Sequence, residues 1–375
     1  MQNGKFGKLY NMKLFGNIYQ GKKVVVTGHT GFKGSWLVFW LQKLGAIVYG
    51  ISDKIYTNPS HIELLQLNID ESFIDIINYK ELSNKLQEIQ PDIIFHLAAQ
   101  ALVRYSYQEP IETFTTNIIG TANIFDICRS LASIKGIVNV TSDKCYENFE
   151  NDWAYNESDR MGGYDPYSAS KGAAELIVSS YRRSFFNIDS FGNSHHFILA
   201  SGRAGNVIGG GDWSKDRLIP DLIKNSIANK TTEIRNPSAT RPWQHVLEPL
   251  SGYLLLGQKV LEGDISVSDG WNFGPKKSEV LTVQKVLEES SLVWENLKFH
   301  FPKLENQPHE AHFLRLDCSK ANINLNWYPV WDMNQSIKKT INWYKDFYTI
   351  NKINTEDDLN TYVKDAIEKQ IIWTK

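Results

Sequence analysis

Residues 22–36 read KKVVVTGHTGFKGSW, a β-branched run that breaks into three spaced glycines and passes straight into an apolar stretch. Val24, Val25 and Val26 suit a buried strand, and the run from Trp36 to Leu41 suits a helix packed on it. Gly28, Gly31 and Gly34 stand in the spacing Gly-x-x-Gly-x-x-Gly. In a strand–turn–helix context each has a job: the first permits the tight turn, the second lets backbone amides approach a pyrophosphate, and the third lets helix and strand pack closely. The helix N-terminus then favours the anion. That is the context a dinucleotide fingerprint requires. Asp53 follows about 20 residues on, just past a second strand, where a carboxylate accepts hydrogen bonds from ribose hydroxyls and repels a 2′-phosphate, favouring NAD over NADP. Asp75-Ile76, at the end of FIDI, is a candidate for the adenine edge.

Outward from this loop, short strand-like runs alternate with amphipathic stretches: AIVYGIS, FIDI, DIIFHLA, GIVNVTS and FILASGRAG. The stretch YKELSNKLQEI places Leu82, Leu86 and Ile89 at helical intervals, and Pro91 closes it. Strands alternating with helices predict an α/β fold with a doubly wound, Rossmann-type parallel sheet. Beyond Gly205 the chain turns to Gly/Asn/Pro-rich loops between helices, which predicts a smaller C-terminal α/β substrate-binding lobe. The expected division is an arm over 1–20, a dinucleotide-binding domain over 21–205, and a lobe with C-terminal helices over 206–375. Strands around 241–275 (RPWQHV, WNFGP) are able to return to the first domain.

The 375 residues are 42% hydrophobic, enough to bury one or two sizeable cores. A net charge of -2, from 40 basic and 42 acidic residues, argues against nucleic acid or an anionic membrane as partner. Three cysteines, Cys128, Cys145 and Cys318, show no CxxC spacing, so neither a disulfide framework nor a zinc cluster is indicated and a cytoplasmic setting is expected. His195-His196 lacks further spaced ligands, and no metal is expected. No apolar run approaches the roughly 20 residues that cross a bilayer, and the first residues lack the apolar core of a secretory signal.

Chemistry-bearing residues cluster next. Ser142 follows the strand GIVNVTS, and Tyr167 and Lys171 open a helix behind Asp165-Pro166, a favourable N-cap and first helical residue. Four residues apart, Tyr167 and Lys171 share a helical face, so the ammonium is expected to lower the phenol pKa and ready tyrosinate to take a proton from a sugar hydroxyl. Asp143 and Lys144 sit directly beside Ser142.

Taken together, TGHTGFKGSW, HLAAQALVR, TSDKCYEN, YDPYSASK, GRAGNVIGGGDW, RNPSATRPWQHVLEPLSGY and WNFGP resemble the CDP-glucose 4,6-dehydratases, extended short-chain dehydrogenase/reductases of the NAD-dependent epimerase/dehydratase group. The likeness runs from about residue 22 to 332. It implies an enzyme, a hydro-lyase acting on CDP-glucose: oxidation at C4, loss of water across C5 and C6, and return of hydride to C6, yielding CDP-4-dehydro-6-deoxyglucose. In the related dTDP-glucose dehydratases an Asp-Glu pair supplies acid and base; here the pair is Asp143-Lys144, with Ser142, Tyr167 and Lys171 serving oxidation. NAD contacts are implied for Gly28, Thr30, Gly31, Phe32, Lys33 and Gly34, for Asp53, Asp75 and Ile76, for Leu97, Ala98, Ala99, Gln100 and Asn117, and for Tyr167 and Lys171. Asn206, Arg217, Arg241 and His309 are implied for the substrate, arginine suiting bidentate phosphate contact. A homodimer through helices flanking the sheet is also implied. Rival readings are a dehydratase or 4-epimerase for another nucleotide sugar, or a non-catalytic NAD-binding module. The pathway that a 4-keto-6-deoxy sugar would enter stays open.

Overall fold

The computed structural model describes residues 13–149, 151, 153–234, 236–276, 281–302 and 314–375. The valine run forms β1 (Lys23–Thr27) and the apolar stretch after the glycines forms α1 (Phe32–Lys43). Then come β2 (Ile47–Ser52), β3 (Asp70–Phe73), α2 (Tyr79–Ile89), β4 (Ile93–His96), α3 (Thr121–Cys128), β5 (Gly136–Val140), α4 (Pro166–Ser184) and β6 (Ile198–Ala204). Beyond them lie α5 (Leu218–Ile227), α6 (Leu247–Glu262), β7 (Gly270–Phe273), α7 (Val283–Val293), α8 (Met333–Ile350) and α9 (Thr355–Glu368).

The seven strands form one parallel sheet in the order β7-β6-β5-β4-β1-β2-β3, reversing direction of growth between β1 and β4. That reversal is the topological switch point of a doubly wound sheet. Alternate residues of β1 feed opposite layers. Val24 and Val26 pack with α1, α6 and α9, whereas Val25 packs with α2, α3 and α4. The FIDI segment differs from its reading as a strand: β3 ends at Phe73, and Ile74 adds one more ladder bond, N to Ser52 O at 2.8 Å, before the chain turns away.

WNFGP contributes β7, an edge strand paired with β6, whereas Gln244–His245 of RPWQHV pairs with Val207–Ile208 outside the main sheet. α6 lies across β5 and β6 on the sheet face. The second lobe has its own core of α5, α7 and α8 around Trp213, Trp243 and Trp343. Residues 1–12 of the N-terminal arm lie outside the described residues. Leu14, Phe15 and Tyr19 are buried in the main core, with Phe15 stacked on Trp373 at 5.2 Å and the Gly16 N–H donating to the Lys375 carbonyl at 3.2 Å. Trp40 and Tyr362 complete this aromatic cluster around Trp373.

Glu248, buried in α6, ties the last elements to the first domain. Its carboxylate accepts from the N–H groups of Val330 (2.9 Å) and Trp331 (2.7 Å) and from the Tyr362 hydroxyl (2.7 Å). Glu248→Ala leaves three donors without that acceptor, at about 1–3 kcal/mol each. A fall in the apparent Tm, corresponding to a loss of about 3 kcal/mol or more, is the expected result of thermal melting.

Candidate active site at the carboxyl edge of the sheet

Because every strand of the sheet is parallel, the loops after β1, β2, β4, β5 and β6 all open at one edge. The first is the glycine loop. Gly28 adopts φ +74°, and a Cβ there would lie 2.7 Å from the Ala98 nitrogen. A Cβ on Gly34 would lie 2.1 Å from the Gly28 carbonyl oxygen. These positions leave a cradle that side chains would fill, below the N-terminus of α1, whose N-cap Gly31 offers no side-chain acceptor. The first N–H groups of the helix therefore face the cradle without side-chain competition. Thr30 braces the loop by donating from its hydroxyl to the Lys54 carbonyl at 2.8 Å.

Asp53 stands exposed one residue past β2, its carboxylate accepting a hydrogen bond from the Tyr56 hydroxyl. Asp75 is also exposed and accepts from the Ile77 N–H at 3.0 Å, while Ile76 is buried beneath Gly120. Leu97, Ala98, Ala99 and Gln100 form the half-buried loop after β4, where Ala98 N–H donates to Thr27 Oγ1 at 3.2 Å. Asn117 differs in kind from these. It is fully buried, its Oδ1 accepts from Gln100 N at 2.8 Å, and its Nδ2 donates to Gln100 O at 3.0 Å and Ser170 Oγ at 2.8 Å. Its side chain is a brace between the β4 loop and α4.

A cavity of about 530 Å³ runs from this edge into the second lobe. It brings together Lys33, Ser142, Asp143, Lys144, Tyr167, Asn206, Arg217 and Arg241, contributed by six separate stretches of chain. α4 starts as the sequence predicts: Pro166 opens the helix and Asp165 Oδ1 accepts from Ser168 N at 2.9 Å. That cap aims Tyr167 at Ser142, whose hydroxyl is hydrogen-bonded with the phenol. Ser142 Oγ also donates to Asp143 Oδ1 at 2.9 Å.

Burial governs the charges here. It pushes the Tyr167 phenol up to about 12, and the hydrogen bond with Ser142 opposes it. The expected depression by Lys171 is not seen: the lysine is not among the main influences on that phenol, and the cation that lowers it is Arg217. Burial also brings the Lys171 ammonium down to about 8, against the pull of Glu175. Asp143, 1% exposed, has its carboxyl raised by burial, with Lys144 as the largest opposing influence. Its Oδ2 has no hydrogen-bond partner among the described residues. The arrangement holds a buried carboxyl beside a phenol, a serine hydroxyl and two amines.

Lys33, read as part of the cofactor loop, lines this cavity as well, its amine brought down to about 8 by burial and by Arg217. Arg217 caps the start of α5 and pairs with Asp212 at 2.8 Å. Arg241 lines the same cavity, and His309 lies outside the described residues. One feature is new: Arg104, from the helix Val103–Gln108, pairs with Asp216 of the second lobe at 2.9 Å, and both line the cavity. Nothing in the spacing of two residues more than a hundred positions apart announces that pair. His195 is engaged locally, with Nε2 against the Asn187 carbonyl at 2.9 Å. No described helix is long and apolar enough to cross a membrane.

The family model described as GDP-mannose 4,6 dehydratase matches residues 25–340. A CDP-glucose 4,6-dehydratase of Salmonella typhimurium is 50% identical over 331 residues, covering 88% of this chain and 92% of the relative. Among solved structures, an epimerase from Methanothermobacter thermautotrophicus superposes with a TM-score of 0.77 at 20% identity, covering 92% of this chain and 98% of that one. A dTDP-glucose 4,6-dehydratase from Streptomyces venezuelae, solved with NAD bound, gives 0.71 at 20% identity over 86% and 97%. These two likenesses show the fold.

Gly34→Ala would drive a methyl group against the Gly28 carbonyl and shift the loop. Displacements near 1 Å at such sites cost about a hundredfold. The expected outcome in a fluorescence titration is dinucleotide binding weakened by about that factor, with the sheet intact by circular dichroism.

Proposed function

The chain belongs to the GDP-mannose 4,6 dehydratase family, and from that membership we propose that it dehydrates CDP-glucose to CDP-4-dehydro-6-deoxyglucose with NAD as resident cofactor. The observation that carries the reading is Asp143: a buried carboxyl, raised toward its protonated form, next to the Ser142–Tyr167–Lys171 set. Alcohol oxidation alone needs no such acid; elimination of a hydroxyl does. The 50% likeness to a CDP-glucose 4,6-dehydratase supports the nucleotide.

NAD fits the glycine cradle. Gly28, Gly31 and Gly34 with the α1 N-terminus would hold its pyrophosphate and Asp53 its ribose, with the 97–100 loop as a further contact. The chemistry that bound NAD supplies is two-electron acceptance from C4 and its return to C6, together with a positive ring charge of the sign that lowers a neighbouring phenol. Tyr167, with Ser142, takes the proton of the C4 hydroxyl as the ketone forms. Lys171 provides positive charge one turn along α4, present below about 8 and lost above it. The ketone acidifies the C5 proton. Lys144 takes that proton while Asp143 gives its own to the C6 hydroxyl, which leaves as water. Lys144 then returns its proton to C5 once C6 has been reduced. Arg217, Arg241 and Asn206 line the wall suited to the diphosphate.

The test is incubation with CDP-glucose, dTDP-glucose, UDP-glucose and GDP-mannose, followed by mass spectrometry. Loss of one water from CDP-glucose alone is expected. Loss from another donor overturns the nucleotide, and an unchanged mass with a new epimer overturns the dehydration. Asp143→Asn keeps the shape but has no proton to give. Dehydration is expected to fall by about 10²–10⁴-fold while C4 oxidation persists, seen as reduced nicotinamide building up without loss of water. In the wild-type protein the dehydration step should slow as pH rises through the raised Asp143 value, because the acid form is the donor.

The same reading includes a homodimer and a cytoplasmic setting. Ile111 and Leu176 are 75% and 62% exposed on helical segments, Pro110–Phe114 and α4, that pack against each other outside the sheet. A second copy would cover that apolar face. The three cysteines are free thiols, as a reducing compartment leaves them. Leu176→Glu is expected to give monomers by sedimentation at micromolar concentration, where the wild type sediments as a dimer.

A further inference from the structure

Behind the Ser142–Tyr167–Lys171 cluster, a carboxylate and a guanidinium are shut into the core together. Glu175 is 3% and Arg203 4% exposed, and neither lines the cavity. Glu175 lies one turn past Lys171 on α4, so Tyr167, Lys171 and Glu175 form one stripe of the helix. Its Oε1 accepts from Thr141 Oγ1 at 2.5 Å and Ser201 Oγ at 2.6 Å, and its Oε2 from Arg203 at 2.7 Å. Thr141 directly precedes Ser142, while Ser201 and Arg203 belong to β6.

From Arg203 the network continues. Its other terminal nitrogen donates to the Tyr146 hydroxyl at 2.8 Å, and that hydroxyl donates to Asn272 Oδ1 in β7 at 2.8 Å. Tyr146 closes the turn that begins with Ser142, Asp143 and Lys144. Room for the guanidinium is reserved by Gly270, where a Cβ would stand 2.4 Å from an Arg203 terminal nitrogen. One carboxylate thus joins the helix bearing Tyr167 to both ends of the turn bearing Ser142, Asp143 and Lys144.

Stability alone is a weak reason for such a pair. Apolar residues of similar volume commonly replace buried ion pairs without loss, since desolvating two charges offsets their attraction. A carboxylate that fixes two hydroxyls and a guanidinium in set directions does what apolar side chains cannot. We propose that Glu175 is a positioning residue: through Thr141 and through Arg203–Tyr146 it fixes the Ser142–Lys144 turn against Tyr167 on α4, and so governs the rate of C4 oxidation in the reaction proposed above. The Arg203 guanidinium holds the Glu175 carboxyl down at about 2, so the tie keeps its charge throughout the working range.

The proposal rests on the dehydratase reading, and wild-type turnover of the donor in the same assay separates failure of that reading from failure of this one. E175Q leaves the Arg203 charge buried without its partner and endangers folding. T141V is therefore the second variant, removing one hydroxyl from the carboxylate while the ion pair stays intact. Single-turnover mixing of NAD-loaded protein with CDP-glucose reads oxidation as absorbance of reduced nicotinamide. Both variants are expected to slow that phase about tenfold or more, with KM and bound NAD within about twofold of wild type, and E175D to recover part of the rate. A T141V rate within about twofold of wild type overturns the proposal. So does a slower phase matched by equal loss of bound NAD or of thermal stability, which would make the network structural only.

Discussion

Parallel pairing of all seven strands forces their C-terminal ends onto one edge, and the reversal between β1 and β4 opens a crevice there. Every part of the candidate site follows from that constraint. The glycine loop continues β1, the half-buried 97–100 loop continues β4, and the Ser142 turn continues β5. None of these segments is near the others in sequence. The second lobe, entered directly from β6, then roofs the same edge and carries Arg217 and Arg241 over the crevice. The spacing of strands therefore sets how far cradle, acid and arginines stand apart.

Electrostatics at that edge depend on how completely water is excluded. Burial moves the amines of Lys33 and Lys171 and the carboxyl of Asp143 toward their neutral forms. The same burial opposes ionisation of Tyr167. The phenol stays raised despite Arg217, the cation that lowers it.

Residues acting through local periodicity or backbone geometry were legible in the sequence. The glycine spacing, the Asp165-Pro166 helix start and the Tyr167–Lys171 stripe needed only neighbours a few positions away. Residues acting across the chain were not. Asn117 is spent on Gln100 and Ser170, and Arg104 finds Asp216 in the other lobe; neither pairing has a signature in spacing. The Tyr167 phenol illustrates a third case, since spacing gave the lysine neighbour but neither the depth of burial nor Arg217 of the second lobe, which are what act on it.

The aromatic cluster where Phe15 lies on Trp373, with Gly16 bonded to Lys375, makes the described chain a nearly closed ring. Closing so large a loop is entropically expensive, although the expense grows only slowly with length. Contacts of this sequence separation form late and slow the search. Burial of Phe15 and Trp40 draws on Trp373 from the other end of the described chain. Two segments at opposite ends of the described chain thus complete one hydrophobic site, and a break in either one opens the core beside α1.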